Sequence, residues 1–229
     1  MSRPGASLAA DLTAFALPQR CPGCGVPADP ARLLCDPCRA GIPRLECALC
    51  VRCLVAGGDG VGCLAHPGSV ARAAWVYDER AALIVQALKY GERPGLAGVL
   101  GAEMARALPP GLRPDLVVEV PLHRTRQRER GYNQAAILAD ALADAIAAPR
   151  LAGMLTRVRA TRAQARLGPA ERRRNLADAF RVERPAALEG RSVLLVDDVL
   201  TTGATLEAAL DTLAAAGARA TALTLAWAS

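Results

Sequence analysis

Two adjacent carboxylates at the end of an aliphatic run are the residues most able to do chemistry. The run 193–196 is followed by Asp197 and Asp198, and then by a turn of hydroxyls and small residues. The turn consists of Thr201, Thr202, Gly203, Ala204 and Thr205. Neighbouring carboxylates cannot both stay charged and buried without partners. Two ordinary explanations are an acidic helix N-terminus and a magnesium site.

A third explanation fits the order of these residues better. Hydroxyls and amides at the start of a helix form a cradle for phosphate. The two carboxylates would then lie one sugar length away and accept hydrogen bonds from ribose hydroxyls. The sequence therefore predicts a site for a ribose 5-phosphate group.

The eight cysteines form a second set of candidate ligands, all between residues 21 and 63. Such crowding in a chain without a recognisable signal peptide favours metal in a reducing cytoplasm over disulfides. A C-x2-C-x10-C-x2-C pattern predicts one zinc site, made of Cys21, Cys24, Cys35 and Cys38. A less regular pattern predicts a second zinc site, made of Cys47, Cys50, Cys63 and His66, which leaves Cys53 spare.

Composition sets the broad class. The chain has 229 residues, a net charge of +6 and a predicted pI of about 9.1, which suits an anionic ligand such as phosphate or nucleic acid. Lys89 is the only lysine among many arginines. We expect no membrane span, because no stretch of eighteen or more uncharged apolar residues occurs. Residues 1–18 are interpreted as a short amphipathic helix.

The elements that must position these residues alternate between strands and helices. Strands are predicted at 73–77, 116–120, 193–197 and 218–227, and helices at 79–90, 96–108, 133–147 and 205–217. This alternation indicates an α/β fold with a parallel sheet covered on both faces, which binds ligands at the carboxyl ends of its strands. A cysteine-rich module over 19–70 precedes this domain, which spans 71–229.

The strand, acid pair and threonine-rich turn resemble the signature of type I phosphoribosyltransferases, which use phosphoribosyl diphosphate (PRPP). Further motifs resemble the ComF family, in which a zinc ribbon precedes a phosphoribosyltransferase domain and which is associated with DNA uptake. These are the LKYGERPG stretch at 88–95, the RGxNQ element at 130–134, and the T-x-x-Q and R-x-x-N elements at 161–164 and 172–175. The resemblance runs from residue 15 to the end, and its departure is the histidine in the second zinc set.

The resemblance implies roles for further residues. Asp197 and Asp198 would be the catalytic pair, and the turn 201–205 would hold the 5′-phosphate of PRPP. The turn after the earlier strand would bind diphosphate through Pro121, Leu122, His123, Arg124 and Arg130. A mobile loop at about 158–178 would close over the reaction centre and carry Arg159, Gln164, Arg172 and Asn175. Structural zinc and PRPP-bound magnesium are the implied metals.

Three functions stay open from the sequence. The chain is expected to be a phosphoribosyltransferase that acts on an unidentified acceptor in DNA uptake or nucleotide metabolism, a non-catalytic PRPP-responsive adaptor of the DNA-uptake machinery, or a single-stranded DNA-binding component. PRPP or another ribose phosphate, single-stranded DNA and competence proteins are the corresponding partners. The acid pair favours the first two functions, because DNA binding gives no reason for two carboxylates at this position.

Overall fold

The computed structural model describes residues 19–29, 33–57, 63–90, 95–158 and 179–228. The helices of this part of the chain are α1 (Asp36–Ala40), α2 (Glu79–Tyr90), α3 (Leu96–Arg106), α4 (Arg124–Arg130), α5 (Gln134–Ile146) and α6 (Ala204–Ala215). The strands are β1 (Ala48–Cys50), β2 (Ala56–Gly57), β3 (Val70–Val76), β4 (Leu116–Glu119), β5 (Leu155–Arg157), β6 (Phe180–Val182), β7 (Ser192–Leu200) and β8 (Arg219–Trp227).

A six-stranded sheet with the order β2-β1-β3-β8-β7-β4 organises the molecule. Strands β3, β8, β7 and β4 are parallel, and β1 and β2 from the cysteine-rich part add to the β3 side in antiparallel fashion. Strands β5 and β6 form a separate antiparallel hairpin. The predicted α/β fold with a mostly parallel sheet is confirmed.

Both faces of the sheet are buried, which explains why its strands are aliphatic along their whole length. On one face, Leu194 and Val196 pack with helices α2, α3 and α5. On the other face, Val193 and Leu195 pack with α6 and with the β5–β6 hairpin. The alternation along β7 therefore divides one aliphatic run between two hydrophobic cores.

The predicted elements differ from the observed ones mainly at their ends. Helix 79–90 matches α2, whereas the predicted strand 193–197 is too short, because β7 continues through both acids to Leu200. The continuation has a partner, since Val199 and Leu200 pair with Ala226 and Trp227 of β8. Helix α4, the β5–β6 hairpin and the strands β1 and β2 were not predicted.

Two sequence predictions fall on residues that the structure does not describe. These are the N-terminal helix at 1–18 and the greater part of the loop at 158–178, including Arg159, Gln164, Arg172 and Asn175. Across the described ranges, no helix is long and apolar enough to cross a bilayer.

Candidate functional site

The acid pair lies near the carboxyl end of β7, and both side chains are only partly buried. Asp197 Oδ1 accepts a hydrogen bond from the backbone N–H of Asp198 at 2.9 Å. Asp198 Oδ1 accepts one from the N–H of Val199 at 2.7 Å. These bonds fix the two carboxylates, which remain partly exposed.

Asp198 has a cationic partner, Lys89, to which the sequence analysis assigned no role in the site. Lys89 Nζ at the end of α2 lies 2.9 Å from Asp198 Oδ2, and the two side chains are only 21% and 16% exposed. The ion pair compensates one of the two negative charges and ties α2 to the site. The one available signal was that Lys89 is the only lysine of the chain.

Asp197 lacks such a direct cation among the described contacts, and its environment favours the protonated form. Burial and the adjacent Asp198 carboxylate raise the pKa of Asp197 to about 8. The hydrogen bond from Asp198 N–H and the positive charges of Lys89 and Arg157 act in the opposite direction. The two neighbouring acids are therefore chemically unequal at neutral pH.

The turn 201–205, called the phosphate turn below, connects β7 to α6. Thr201 is exposed, Thr202 and Thr205 are partly exposed, and Gly203 is the N-cap residue of the twelve-residue helix α6. Within the described chain, no side chain caps this helix start. The first amides of α6 therefore remain available to an anion, and the helix dipole favours one there.

Gly203 is required by its backbone and by its neighbour. Its φ is +75°, in the left-handed region that disfavours side chains. A Cβ atom on Gly203 would lie 1.8 Å from the carbonyl oxygen of Val51, in the cysteine-rich part of the chain. The phosphate turn thus rests directly on the backbone between Cys50 and Arg52.

The segment 121–124, called the diphosphate turn below, follows β4 at the level of the acid pair. Glu119 pairs with Val196 across β4 and β7, and Val120 N–H donates to Val196 O at 2.9 Å. The next residues, Pro121, Leu122 and His123, are partly exposed at the same edge of the sheet as Asp197. The structure therefore brings the two predicted phosphate-binding turns together.

His123 and Arg124 take part in starting a short helix. His123 is the N-cap residue of α4, and its Nδ1 accepts a hydrogen bond from Thr125 N–H at 3.3 Å. Arg124 is the first residue of that helix. The histidine therefore has a local structural role at the start of α4.

The RGxNQ element joins helices α4 and α5 to the sheet. Arg130 donates to Gln134 Oε1 at 3.0 Å and lies over the ring of Tyr90, 5.3 Å from its centre. Asn133 caps α5 through Ala135 N–H and donates to Val120 O at 3.0 Å. The hydrogen bond from Asn133 to Val120 stabilises the start of the diphosphate turn, and the contact with Tyr90 holds Arg130 against the end of α2.

A cavity of about 720 Å³ opens beside the diphosphate turn. Its walls include Gln127 and Asn133 on one side and the β5–β6 hairpin on the other, with Arg157 and Arg181 among the hairpin residues. The guanidinium of Arg157 lies over the ring of Phe180 at 5.6 Å. Sequence reasoning missed Arg157, which is one of nine arginines between residues 157 and 184 and carries no distinguishing signal.

The first four predicted zinc ligands come together. Cys21, Cys24, Cys35 and Cys38, the first ligand set, have all their sulfur atoms within 4.8 Å of one another. Cys24 Sγ and Cys35 Sγ are 3.6 Å apart, close to the roughly 3.8 Å expected between two ligands of a tetrahedral zinc ion. Gly23 permits this approach, since a Cβ there would lie 2.9 Å from Cys38 Sγ. This geometry fits a bound metal.

The second predicted set requires a correction. The structure groups Cys50, Cys53, Cys63 and His66, the second ligand set, within 4.8 Å, and Cys47 does not belong to this group. Cys53 Sγ lies 3.8 Å from Cys63 Sγ, and His66 Nδ1 lies 3.5 Å from Cys50 Sγ. Cys47 precedes β1. Cys50 is the last residue of β1 and Cys53 lies in the turn that follows, so this turn brings the two thiols close together.

Similarity to known proteins identifies the family of the chain. A model of the phosphoribosyl transferase domain matches residues 130–228, which include the acid pair and the phosphate turn. The DNA utilization protein YhgH of Salmonella typhi is 34% identical over 197 residues, covering 81% of this chain and 74% of the relative. The YhgH protein of Escherichia coli strain K12 is 31% identical over 194 residues, with the same coverage. Competence protein F of Haemophilus influenzae is 42% identical over 94 residues, 41% of each chain.

The fold, the site and the domain match define a protein with a phosphoribosyltransferase-type domain. Identity above 30% over most of both chains makes the assignment more specific. The chain belongs to the ComF family, together with the YhgH proteins and competence protein F.

Proposed function

We propose that the chain binds PRPP with magnesium at the carboxyl edge of its sheet and transfers the phosphoribosyl group to an acceptor. One observation carries this proposal. At the end of β7, two carboxylates held by backbone hydrogen bonds are followed by a helix start that no side chain of the described residues caps. The phosphate turn would hold the 5′-phosphate, and Asp197 and Asp198 would accept hydrogen bonds from the ribose hydroxyls.

In the proposed reaction, the bond between C1 of the ribose and the diphosphate breaks, and the diphosphate leaves with the bonding electrons. An acceptor atom forms the new bond at C1 and loses its proton. Positive charge develops at C1 and the ring oxygen, where the acid pair can stabilise it. The backbone of the diphosphate turn and the arginines beside it would bind the departing diphosphate.

Metals complete the proposed site. Magnesium bound with PRPP would neutralise diphosphate oxygens, and the carboxylates of the acid pair are the hard oxygen ligands that suit it. Zinc at the two ligand sets would have a structural role, because each offers four soft or nitrogen ligands at tetrahedral separations. Cysteines that serve as metal ligands and a nucleotide precursor as ligand support a cytoplasmic location as part of this proposal.

Calorimetric titration tests the ligand. The wild-type chain should bind PRPP with magnesium, and ribose 5-phosphate more weakly, whereas Asp198→Asn should weaken both about tenfold or more because it removes a charged acceptor of hydrogen bonds. Absence of PRPP binding by the folded wild type would overturn the proposal. Release of diphosphate with candidate bases then separates a transferase from a PRPP-responsive adaptor that binds without turnover.

We further propose a link to DNA handling, which the names of the relatives and the basic surface of the site support. Helix α4 presents exposed arginines, including Arg126 and Arg128, beside the diphosphate turn. A single-stranded DNA-binding role in DNA uptake predicts binding that weakens steeply with salt. Competition of PRPP with this binding would assign both ligands to one site, whereas independent binding would assign DNA to a separate surface.

A further inference from the structure

The second ligand set lies directly against the phosphate turn. Val51, fully buried between Cys50 and Arg52, packs into the hydrophobic core that contains Leu200, just before that turn, and Ala204 within it. The Val51 carbonyl occupies the space that a side chain at Gly203 would need. The shape of the turn is therefore set by a residue inside a metal-binding loop.

Arg52, in the same loop, connects it to helix α6. Its Nη1 lies 3.0 Å from Glu207 Oε1, and its Nη2 donates to both carboxylate oxygens of Asp211 at 2.8 Å. Glu207 is one turn into α6, and its N–H bonds to Gly203 O at 2.8 Å. The guanidinium thus holds the first two turns of the helix whose amides face the proposed phosphate.

Backbone contacts extend the connection to the remaining ligands. Val51 N–H donates to Ser69 O at 2.9 Å, and Ser69 N–H donates to His66 O at 3.3 Å. Arg52 Nε donates to Ser69 Oγ at 3.0 Å. The segment that carries His66 and the loop that carries Cys50 and Cys53 therefore close around Arg52.

We propose that Arg52 is a positioning residue of the phosphate turn, and that metal binding at the second ligand set and ribose-phosphate binding at the turn favour each other. The inference rests on the proposed function, because it requires the turn to bind a ribose phosphate. A metal ion that joins Cys50, Cys53, Cys63 and His66 orders the loop, and the ordered loop presents Val51 and Arg52 to the turn. Anion binding in turn stabilises the loop, as the reciprocity of linked equilibria demands.

The first ligand set should not share this coupling. Cys21 and Cys38 pack in the core on the opposite face of the sheet, with helices α2 and α3. Arg39, next to Cys38, is a matched counterpart of Arg52. It also pairs with two acids, Asp36 at 2.9 Å and Glu103 at 3.2 Å, and is 31% exposed against 33% for Arg52.

The test measures zinc release from the full chain to a colorimetric chelator, with and without ribose 5-phosphate. Saturating ribose 5-phosphate should slow one of two release phases by about five- to tenfold and leave the other unchanged. In Arg52→Gln, the protection should be lost and the dissociation constant for ribose 5-phosphate should rise by about the same factor. Arg39→Gln should behave as the wild type in both measurements.

The outcomes separate the two proposals. If the wild-type chain binds neither PRPP nor ribose 5-phosphate, both proposals are overturned. If it binds PRPP but not ribose 5-phosphate, this inference alone is overturned. If it binds ribose 5-phosphate, but neither release phase is protected and Arg52→Gln binds as tightly as the wild type, this inference alone is overturned. A charge reversal distinguishes loss of the ion pair from misfolding. Arg52→Asp should lose affinity for ribose 5-phosphate, and the double variant Arg52→Asp with Asp211→Arg should recover part of that affinity.

Discussion

Lys89 Nζ and Asp198 Oδ2 lie 2.9 Å apart and join the end of α2 to the acid pair. Two contacts around this ion pair bring the same helix end to the RGxNQ element. Tyr132 donates to the carbonyl of Leu88, and Arg130 covers the ring of Tyr90. The LKY segment thus links the acid pair to the RGxNQ element, so α2 belongs to the candidate site although it carries no part of the signature motif.

Replacing Lys89 by Gln tests how much the ion pair with Asp198 contributes to the stability of the fold. The Asp198 side chain would lose its cationic partner, and both members of the ion pair are mostly buried. We expect a loss of about 1–3 kcal/mol in the free energy of unfolding, measured by urea denaturation, which is below the cost of breaking a fully buried pair. Lys89→Arg keeps the charge and serves as control. Equal stability of Lys89→Gln and the wild type would show that solvent already screens Asp198.

The raised pKa of Asp197 predicts how stability depends on pH. The folded-state pKa of about 8 lies above the unfolded value of about 4, so the folded chain holds a proton that the unfolded chain releases. This contribution to stability is fully present below about pH 4 and is lost as pH rises towards about 8. Between about pH 5 and pH 8, the wild type should therefore lose stability relative to Asp197→Asn, measured by urea denaturation.

A second aspartate provides a control of opposite sign. Hydrogen bonds from Ser192 hold the pKa of Asp115 below its usual value, so its contribution is lost only as pH falls through the acid range. Asp115→Asn should follow the wild-type slope between about pH 5 and pH 8. A parallel slope for Asp197→Asn and the wild type would contradict the raised pKa of Asp197.

Sequence patterns predicted the elements best where a single chemical requirement fixed them. The aliphatic run of β7 must be buried on both faces, so a strand followed by a turn and a helix was predicted, although the strand ends three residues later than expected. The first ligand set was predicted for the same reason, since its spacing is that of two zinc-binding turns. These features depend on residues close together in the chain.

Features that depend on distant residues were missed. The contact between Val51 and Gly203 joins positions about 150 residues apart, and nothing in either local sequence marks it. Lys89 lies on an amphipathic helix, where a lysine at its edge is ordinary. Cys47 was predicted as a ligand in place of Cys53 because Cys47–Cys50 and Cys50–Cys53 have the same C-x2-C spacing. Only the turn after β1 shows that Cys53 joins Cys50.

Gly203→Ala tests the contact between the phosphate turn and the cysteine-rich loop. The new methyl group would collide with the Val51 carbonyl and would also occupy the left-handed region at φ +75°. We expect destabilisation of about 3 kcal/mol or more, together with loss of ribose 5-phosphate binding in calorimetry. Gly190→Ala is the matched control, because Gly190 has φ +70° but no neighbour within 4 Å of an added Cβ. It should cost only about 1–2 kcal/mol. Equal costs at the two positions would mean that the Val51 contact contributes nothing.

Zinc content distinguishes the two candidate cysteines of the second ligand set. The geometry predicts two bound metal ions in the purified wild type, one at each ligand set. Cys53→Ser removes a thiol that lies 3.8 Å from Cys63 Sγ, so this variant should retain only one tightly bound zinc ion by elemental analysis. Cys47→Ser changes a cysteine outside the group by the same single atom and should retain both. The reverse result, with zinc lost from Cys47→Ser and kept in Cys53→Ser, would restore Cys47 as the ligand. A single zinc ion in the wild type would contradict the second site altogether.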